Sequence, residues 1–250
     1  PLGQGEKYKS KPFIDTFVYR GGDVLGVWTP TLLALIAVPV GVYGALRQYS
    51  LGDRVVSFLA YLGLAIPNFF LALILMYLVL QVYFRTGVMV FPVSGMTSSG
   101  FEQFSFWQKV VDVAWHAVLP IVVLTTSDIA GFSRIMRGQM LEALSQDYVR
   151  TARAKGLPER VVVYKHALRN AIIPIVANIG GILPTLISGA GLVEVGTAWP
   201  GITPLLLDAI SQQDLYVVAG FLTMGLVLLM IGNLLSDLLL AWVDPRIRYE

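Results

Sequence analysis

The stretch Tyr216–Val243, YVVAGFLTMGLVLLMIGNLLSDLLLAWV, decides the fold class. Its 28 residues include one charged side chain, Asp237, and no proline. A helix of this length rises about 42 Å at 1.5 Å per residue, whereas the hydrocarbon core of a bilayer is about 30 Å thick. Because so long an apolar run is typical of a transmembrane helix, the sequence predicts a membrane protein.

The composition of the whole chain favours the same class. Of its 250 residues, 56% are apolar and 14% are charged, against roughly 25% charged residues in a typical soluble domain. The absence of cysteine excludes disulfides and thiolate metal sites, and His116 and His166 are too far apart in sequence to suggest a histidine metal site. A formal net charge of +2 is too small to indicate nucleic-acid binding. We therefore expect an all-α, polytopic membrane helix bundle without a metal or cofactor of its own.

Four further apolar stretches are long enough to cross a bilayer as helices. With the stretch quoted above, the predicted spans are Val24–Leu46, Val55–Phe84, Ala114–Ile135, Ala171–Val195 and Tyr216–Val243. The second span is overlong for a perpendicular crossing and contains a proline, Pro67, which predicts a tilt or a kink there.

The distribution of Lys and Arg predicts the topology. Six basic residues place the connection between the third and fourth spans in the cytoplasm: Arg150, Arg153, Lys155, Arg160, Lys165 and Arg169. The connection 196–215 has no Lys or Arg and is predicted to be external, while Arg246 and Arg248 place the C-terminus in the cytoplasm. Alternation then puts residues 1–23 outside, although they carry four basic side chains. A sixth, earlier span would resolve this conflict, so we expect an external segment 1–23 and a transmembrane domain 24–250.

The cytoplasmic loop 139–169 is predicted to hold two helices with a break between them. Within Met140–Lys155, one face at helical spacing is formed by Leu141, Leu144, Tyr148 and Ala152. Gly156 fits a left-handed helix cap, and Pro158 fits the first turn of a second helix. Such a loop suits a DNA reader, an anionic-lipid anchor or a dock for a soluble partner. Its tethering between two spans disfavours the DNA reader, and the other two roles stay open on the pattern alone.

The run Gln146–Gly156, QDYVRTARAKG, resembles the cytoplasmic loop of permeases from binding-protein-dependent ABC importers, especially their dipeptide and oligopeptide branch. The continuation His166–Pro174, HALRNAIIP, fits the same branch. Gly156 matches the glycine of the general loop signature, whereas Arg150–Ala152 replace its Glu-Ala-Ala and His166–Arg169 replace its terminal Ile-x-Leu-Pro. Further likeness lies in Trp199–Gly201, which is similar to the family's segment near the external gate, and in the C-terminal runs Asn233–Asp237 and Asp244–Arg248.

This resemblance implies that the helix around 149–156 is a coupling helix, which docks in a groove of a cytoplasmic ATPase. The residues that it assigns to ATPase coupling are Asp147, Tyr148, Arg150, Thr151, Ala152, Arg153, Ala154, Lys155 and Gly156. The basic side chains would supply hydrogen-bond donors and charge, while Ala152 and Ala154 would let the partner approach closely. The residues that it assigns to the external gate are Glu194, Trp199, Pro200 and Gly201.

The chain contains no phosphate-binding loop of the form Gly-x4-Gly-Lys-Ser/Thr. We therefore expect it not to be an enzyme, and ATP and Mg²⁺ to be bound by separate ATPase subunits. The resemblance further implies a second, homologous permease subunit, an extracytoplasmic solute-binding protein and a place in the cytoplasmic membrane of a bacterium or archaeon. Peptides are the favoured solute, with nickel complexes, glutathione or oligosaccharides as alternatives.

Three polar residues inside the predicted spans are candidates for the translocation path, because polar groups are costly in lipid. Asp128 follows Thr125–Ser127 and either lines the path, where it would attract a cationic or amino-terminal group, or is a structural acid paired with Arg134 or bonded across helices. Asn233 and Asp237 share a helix face at i, i+4 spacing and serve either interhelical packing or solute binding.

Two other classes of protein stay open at this point. A secondary transporter without ATPase partners would account for the proline-broken spans and for Asp128 as an ion ligand, but it leaves the capped cytoplasmic loop without a role. A membrane scaffold or receptor would use the same loop to bind a soluble partner without transporting anything.

Overall fold

The computed structural model describes residues 33–178, 181 and 191–243, and the regular structure within them is helical. The predicted segment 1–23, the similarity at Asp244–Arg248 and parts of the first and fourth predicted spans lie outside the described residues.

The helices follow one another along the chain. They are α1 (Val38–Leu46), α2 (Leu51–Ala65), α3 (Asn68–Thr86), α4 (Phe106–Ser145), α5 (Asp147–Ala154), α6 (Glu159–Val161), α7 (Leu168–Ala171), α8 (Gly191–Gly196), α9 (Ile202–Ser211) and α10 (Leu215–Val243). Two π-helical stretches, Leu33–Ala37 and Val162–Ala167, and a 3₁₀ turn, Phe101–Gln103, complete the named elements. Residues 173–178 are also helical.

Among the described residues, three helices are long and apolar enough to cross a membrane: Asn68–Thr86, Phe106–Ser145 and Leu215–Trp242. The helix predicted at Tyr216–Val243 is confirmed to within one residue by α10. The third predicted span, Ala114–Ile135, lies inside α4, which is longer at both ends. The 40 residues of α4 rise about 60 Å, twice the thickness of a hydrocarbon core, so α4 also extends into an aqueous phase.

The second predicted span, Val55–Phe84, is not one kinked helix but two helices, α2 and α3. Ile66 leaves the helical conformation, with φ −91° and ψ 118°. A residue before proline is disfavoured in the helical region, and Pro67 has no N–H to continue the ladder. The kink expected at Pro67 is therefore a full break, and of these two helices only α3 has the length of a span.

The helix predicted at Met140–Lys155 is also divided. α4 continues to Ser145, Gln146 is extended with φ −73° and ψ 151°, and α5 begins at Asp147. The helix predicted after the turn begins at Glu159, directly after Pro158. The loop thus contains the predicted short helices, but the first of them is eight residues long.

The chain divides into two compact units, and α4 and α10 contribute to both. Of the described residues, the first unit contains 67–124 and 191–228, and the second contains 33–66, 125–178, 181 and 229–243. The core of the first unit is formed by buried Ala72, Ala117, Leu119, Val123, Leu124, Val193 and Trp199. The core of the second is formed by buried Val42, Ala45, Met136, Met140, Ala143, Val149, Ala152, Val162, Val163, Ala167 and Ala171.

Candidate functional site

Helix α5 is a short helix whose two ends are defined by local chemistry. The extended Gln146 separates it from α4, and Asp147 in its first turn places a negative charge near the positive end of the helix dipole. The Thr151 hydroxyl donates a hydrogen bond of 2.9 Å to the Asp147 carbonyl oxygen. Arg153 lies in the last turn, where a cation is favoured.

The C-terminal end of α5 is closed by a Schellman motif. Gly156 adopts a left-handed conformation with φ +74°. Its N–H donates to the Arg153 carbonyl at 2.9 Å, and the Leu157 N–H donates to the Ala152 carbonyl at 3.4 Å. The predicted left-handed cap at Gly156 is confirmed, and it fixes where α5 stops.

One face of α5 is anchored in the core of the second unit. Val149 is completely buried and Ala152 is 5% exposed, and both belong to the cluster that contains Met140 and Val162. The predicted apolar face was wrong at Tyr148, which is 39% exposed. The break at Gln146 interrupts the helical register, so the predicted spacing fails at Tyr148, although Ala152 is buried on the predicted face.

The other faces of α5 are free of the chain's own core. Eight of the nine residues assigned to ATPase coupling are exposed: Asp147, Tyr148, Arg150, Thr151, Arg153, Ala154, Lys155 and Gly156. The ninth, Ala152, packs inward, so the expectation that it lets a partner approach is corrected. Ala154 is the small residue that α5 presents outward.

An ion pair crosses the turn between α5 and α6. The Arg153 Nη2 and Nε atoms donate to the two carboxylate oxygens of Glu159 at 2.7 and 3.2 Å. The hydrogen bonds from Arg153 hold the pKa of Glu159 below its ordinary value. Both side chains are about half exposed, so solvent screens much of this attraction. Its fork geometry nevertheless orients the turn that carries Lys155 and Gly156.

The four residues assigned to the external gate come together in a buried turn of the first unit. The Glu194 carbonyl oxygen accepts a hydrogen bond of 2.8 Å from the Trp199 N–H, and its carboxylate Oε2 accepts one of 3.0 Å from the Thr203 N–H. Glu194 and Trp199 are 1% and 2% exposed. Pro200 and Gly201 continue the chain into α9, whose first residue is Ile202. In this conformation the backbone carbonyl and the carboxylate of Glu194 both stabilise the turn by accepting hydrogen bonds.

Gly201 is required by the close approach of Glu194 to its backbone. A Cβ atom built on Gly201 would overlap the Glu194 carboxylate group. Because that carboxylate is buried and hydrogen-bonded, it has little freedom to move aside. The Trp-Pro-Gly sequence thus ends in glycine for a steric reason.

The polar residues predicted inside the spans lie on exposed faces of the single chain. Asp128 on α4, and Asn233 and Asp237 on α10, are all exposed. Within the described residues Asp128 forms no ion pair with Arg134, whose guanidinium group instead lies 5.1 Å from the ring centre of Tyr61. Polar groups are costly against lipid, so these three positions are unfavourable lipid contacts.

Ser236, between the two candidate residues of α10, makes the polar contact that sequence reasoning missed. Its buried hydroxyl lies 2.9 Å from the carbonyl oxygens of Val176 and Ala177. Ser236 lies three residues after Asn233 and one residue before Asp237. Helical periodicity alone therefore does not distinguish it from these two exposed residues. Only the tertiary contact identifies it as the packing residue.

A second missed feature is a partly buried ion pair in the second unit. The Arg137 Nε and Nη2 atoms donate to the two carboxylate oxygens of Asp53, each at 2.9 Å. The Tyr49 N–H also donates to Asp53 at 2.9 Å, and the Ser50 hydroxyl caps the Asp53 N–H at 3.2 Å. A Cβ atom built on Gly44 would lie 3.0 Å from Asp53 Oδ1, so α1 packs closely against the pair. The two partners are 84 residues apart, which no local pattern connects.

Residues 37–249 match the family described as "binding-protein-dependent transport system inner membrane component". The chain belongs to this family. Membership confirms the resemblance drawn from the loop residues 146–156 and 166–174. Together with the three helices of membrane-spanning length, it makes the chain a multi-pass membrane protein.

Curated relatives of the chain are named as peptide permeases. The oligopeptide transport system permease protein AppB of Bacillus subtilis is 42% identical over 223 residues, which are 88% of this chain and 66% of the relative. The oligopeptide permease OppB of Mycobacterium tuberculosis is 39% identical over 84% of this chain and 65% of its own length. The dipeptide permease DppB of Escherichia coli K12 is 37% identical over 90% of this chain and 70% of its own length. The chain thus spans about two thirds of the length of these relatives.

Proposed function

We propose that this chain is a permease subunit of an ATP-driven importer and that it forms half of a translocation pathway for peptides. The observation that carries the proposal is the arrangement of α5. Val149 and Ala152 anchor the helix in the core of the second unit, while Arg150, Ala154 and Lys155 stay exposed. A helix held on one side and free on the other is suited to transmit a partner's movement to the unit that holds it.

The proposed partner at α5 is a cytoplasmic ATPase subunit. Arg150 and Lys155 are exposed cations that pair with no buried group among the described residues, where Arg150 makes a 3.4 Å contact with exposed Asp147. Arg153 is oriented by Glu159. The remaining assigned residues, Tyr148, Thr151 and Gly156, complete the docking surface. Since the sequence has no phosphate-binding loop, ATP and Mg²⁺ would be bound by that partner, and this chain would not hydrolyse ATP.

The solute and the other partners are proposed from the names of the relatives. Because AppB, OppB and DppB are named for oligopeptide or dipeptide transport, peptides are the proposed solute. The family description names dependence on a binding protein, so an extracytoplasmic solute-binding protein would deliver the peptide. A second, homologous permease subunit would complete the pathway. The transmembrane domain would be 24–250, with the loop 139–169 and the C-terminus in the cytoplasm and segment 1–23 outside.

The exposed polar groups of the spans would line the pathway between the two permease subunits. Exposed Asp128 on α4 would attract the amino terminus or a cationic side chain of a peptide, and exposed Asn233 and Asp237 on α10 would offer further polar contacts. The buried turn around Glu194 and Trp199 would hold the external gate in one conformation.

The coupling proposal is tested by crosslinking in a chain that has no natural cysteine. Ala154→Cys places a thiol on the exposed face of α5, and Ala152→Cys is its matched control on the buried face. Each variant is co-produced with the ATPase subunits encoded beside it, whose surface groove carries single cysteines. We expect an oxidant to crosslink position 154, with a yield that changes when ATP is added, and position 152 to stay unlinked.

Two results would overturn the proposal. If no ATPase copurifies with the wild-type chain and position 154 is freely labelled in membranes, the chain does not work as an ATPase-coupled permease. If crosslinking occurs but ATP drives no uptake of di- or oligopeptides into proteoliposomes supplied with the binding protein, the coupling role stands and the peptide solute is wrong.

A further inference from the structure

A polar groove lies beside α5 in the second unit. It encloses about 630 Å³ between the end of α4, the start of α5 and the stretch that leads into the next apolar segment. The residues that line it include Glu142, Tyr148, Lys165, His166, Arg169 and Asn170. The proposed coupling contact uses only Tyr148 of these residues.

Three side chains that can donate hydrogen bonds line the groove. Within the described part of the chain, the side chains of Lys165, His166 and Arg169 take part in no hydrogen bond or ion pair. Lys165 and Arg169 are exposed, and His166 is partly buried. The single acidic residue of the lining, Glu142, leaves an excess of positive charge. Ammonium and guanidinium donors that converge on a concave surface suit the oxygens of a phosphate group.

The surroundings of the groove place it where a membrane surface is expected. Ile135, 44% exposed, lies one helical turn before Gln139 on α4. On the other side, the apolar helical segment 173–178 follows the lining residue Ala171. Tyr164, beside Lys165, is 55% exposed. Exposed tyrosines are enriched at membrane–water interfaces, and basic pockets on the cytoplasmic side of spans bind anionic headgroups.

We propose that this groove binds the phosphate of an anionic phospholipid, of which phosphatidylglycerol is the simplest example, in the cytoplasmic leaflet. Lys165 and Arg169 contact the phosphate oxygens, the Asn170 amide completes the polar contacts, and the acyl chains lie along the apolar surface at Ile135. A lipid is favoured over a free phosphate ion because this exposed apolar surface adjoins the groove.

The test uses the full chain purified in detergent and titrated with mixed micelles that contain phosphatidylglycerol or phosphatidylcholine. Bound lipid is measured by native mass spectrometry and by the quenching of a labelled lipid. We expect preferential retention of phosphatidylglycerol, and about thirtyfold weaker binding in the double variant Lys165→Gln, Arg169→Gln. The matched control is Arg47→Gln, Arg54→Gln, which removes the same charge from two exposed residues of the same unit outside the groove. This control should retain wild-type binding.

Three results would each overturn the lipid proposal in favour of a different explanation. Equal loss in both double variants means that a diffuse positive field holds the lipid, and the groove is not a site. Displacement of the lipid by millimolar inorganic phosphate, with equal affinity for phosphate alone, identifies an ion site instead. Unchanged lipid binding with weakened ATPase association in the groove variant assigns the groove to the ATPase and overturns the lipid proposal. The single variant Lys165→Gln, at an exposed position, keeps the test valid if the double variant does not fold.

Discussion

Arg137 and Asp53 form a bidentate ion pair that joins the C-terminal half of α4 to the start of α2, with both N–O distances at 2.9 Å. The Asp53 side chain is 5% exposed and that of Arg137 is 29% exposed. Arg137 stands eight residues before the end of α4, from which α5 follows after one residue. The pair thus connects α4, the helix that leads into α5, with the start of α2.

The first prediction concerns the stability that the pair contributes. Asp53→Asn leaves the Arg137 guanidinium group partly buried without its counter-charge, which costs about 3 kcal/mol when a buried pair loses one member. We expect a clearly lower melting temperature in detergent, measured by intrinsic fluorescence. Asp237→Asn is the matched control, because it makes the same chemical change at an exposed position and should alter stability by less than about 0.5 kcal/mol. Equal melting temperatures for the two variants would show that the pair does not stabilise the fold.

The second prediction is the pH dependence of the same pair. The hydrogen bonds from Arg137 hold the pKa of Asp53 below its ordinary value of 3.8. A carboxylate whose pKa is lower in the folded state than in the unfolded state contributes stability that is present above pH 3.8 and is lost as the pH falls through the folded-state pKa. The difference in melting temperature between wild type and Asp53→Asn should therefore be constant near pH 7 and shrink below about pH 4. A difference that does not change between pH 7 and pH 3 contradicts this assignment.

The third prediction concerns the cap of α5. Ala at position 156 must adopt φ near +74°, which costs about 1–2 kcal/mol for a residue with a Cβ atom. Gly156→Ala should thus loosen the end of α5 and reduce ATP-dependent crosslinking at position 154, while Gly156→Asn should lose less, because asparagine tolerates this conformation. The control is Gly138→Ala on α4, where a Cβ atom meets nothing within 4 Å. If Gly156→Ala crosslinks as well as Gly138→Ala, the cap does not set the geometry of the docking surface.

The fourth prediction concerns the buried turn of the first unit. Gly201→Ala should force the Glu194 carboxylate from its place and cost about 1–3 kcal/mol, as overpacking does. Gly225→Ala on α10 is the control in the same unit, since its Cβ atom would meet nothing within 4 Å. Shortening the acid in the double variant Glu194→Ala, Gly201→Ala removes the overlap. The test is a double-mutant cycle on melting temperature, in which strictly additive losses would mean that Glu194 is not what excludes a side chain at position 201.

Local sequence signals were sufficient to predict much of the structure of loop 139–169 and to predict a membrane protein. Gly156 was predicted as a left-handed cap because few other residues adopt that conformation, and the helix after Pro158 was predicted because proline fits a helix start. The break at Pro67 was underestimated as a kink, since a sequence shows that a helix is disfavoured there but not whether packing restores it. Tyr148 was assigned to the wrong face because the extended Gln146 interrupts the helical period without glycine or proline to mark it.

The sequence by itself determined that the chain is a helical membrane protein and predicted which basic loop faces the cytoplasm, because apolar length and basic charge act through solvent and need no tertiary contact. It also determined the family, through a run of residues that is local to the loop. Only the tertiary structure decided that Arg137 pairs with Asp53, that Ser236 bonds the segment at Val176, and that Lys165 and Arg169 line one groove. Those relationships join residues from separate elements, and the energy that fixes them comes from burial and partner geometry, which a linear pattern does not contain.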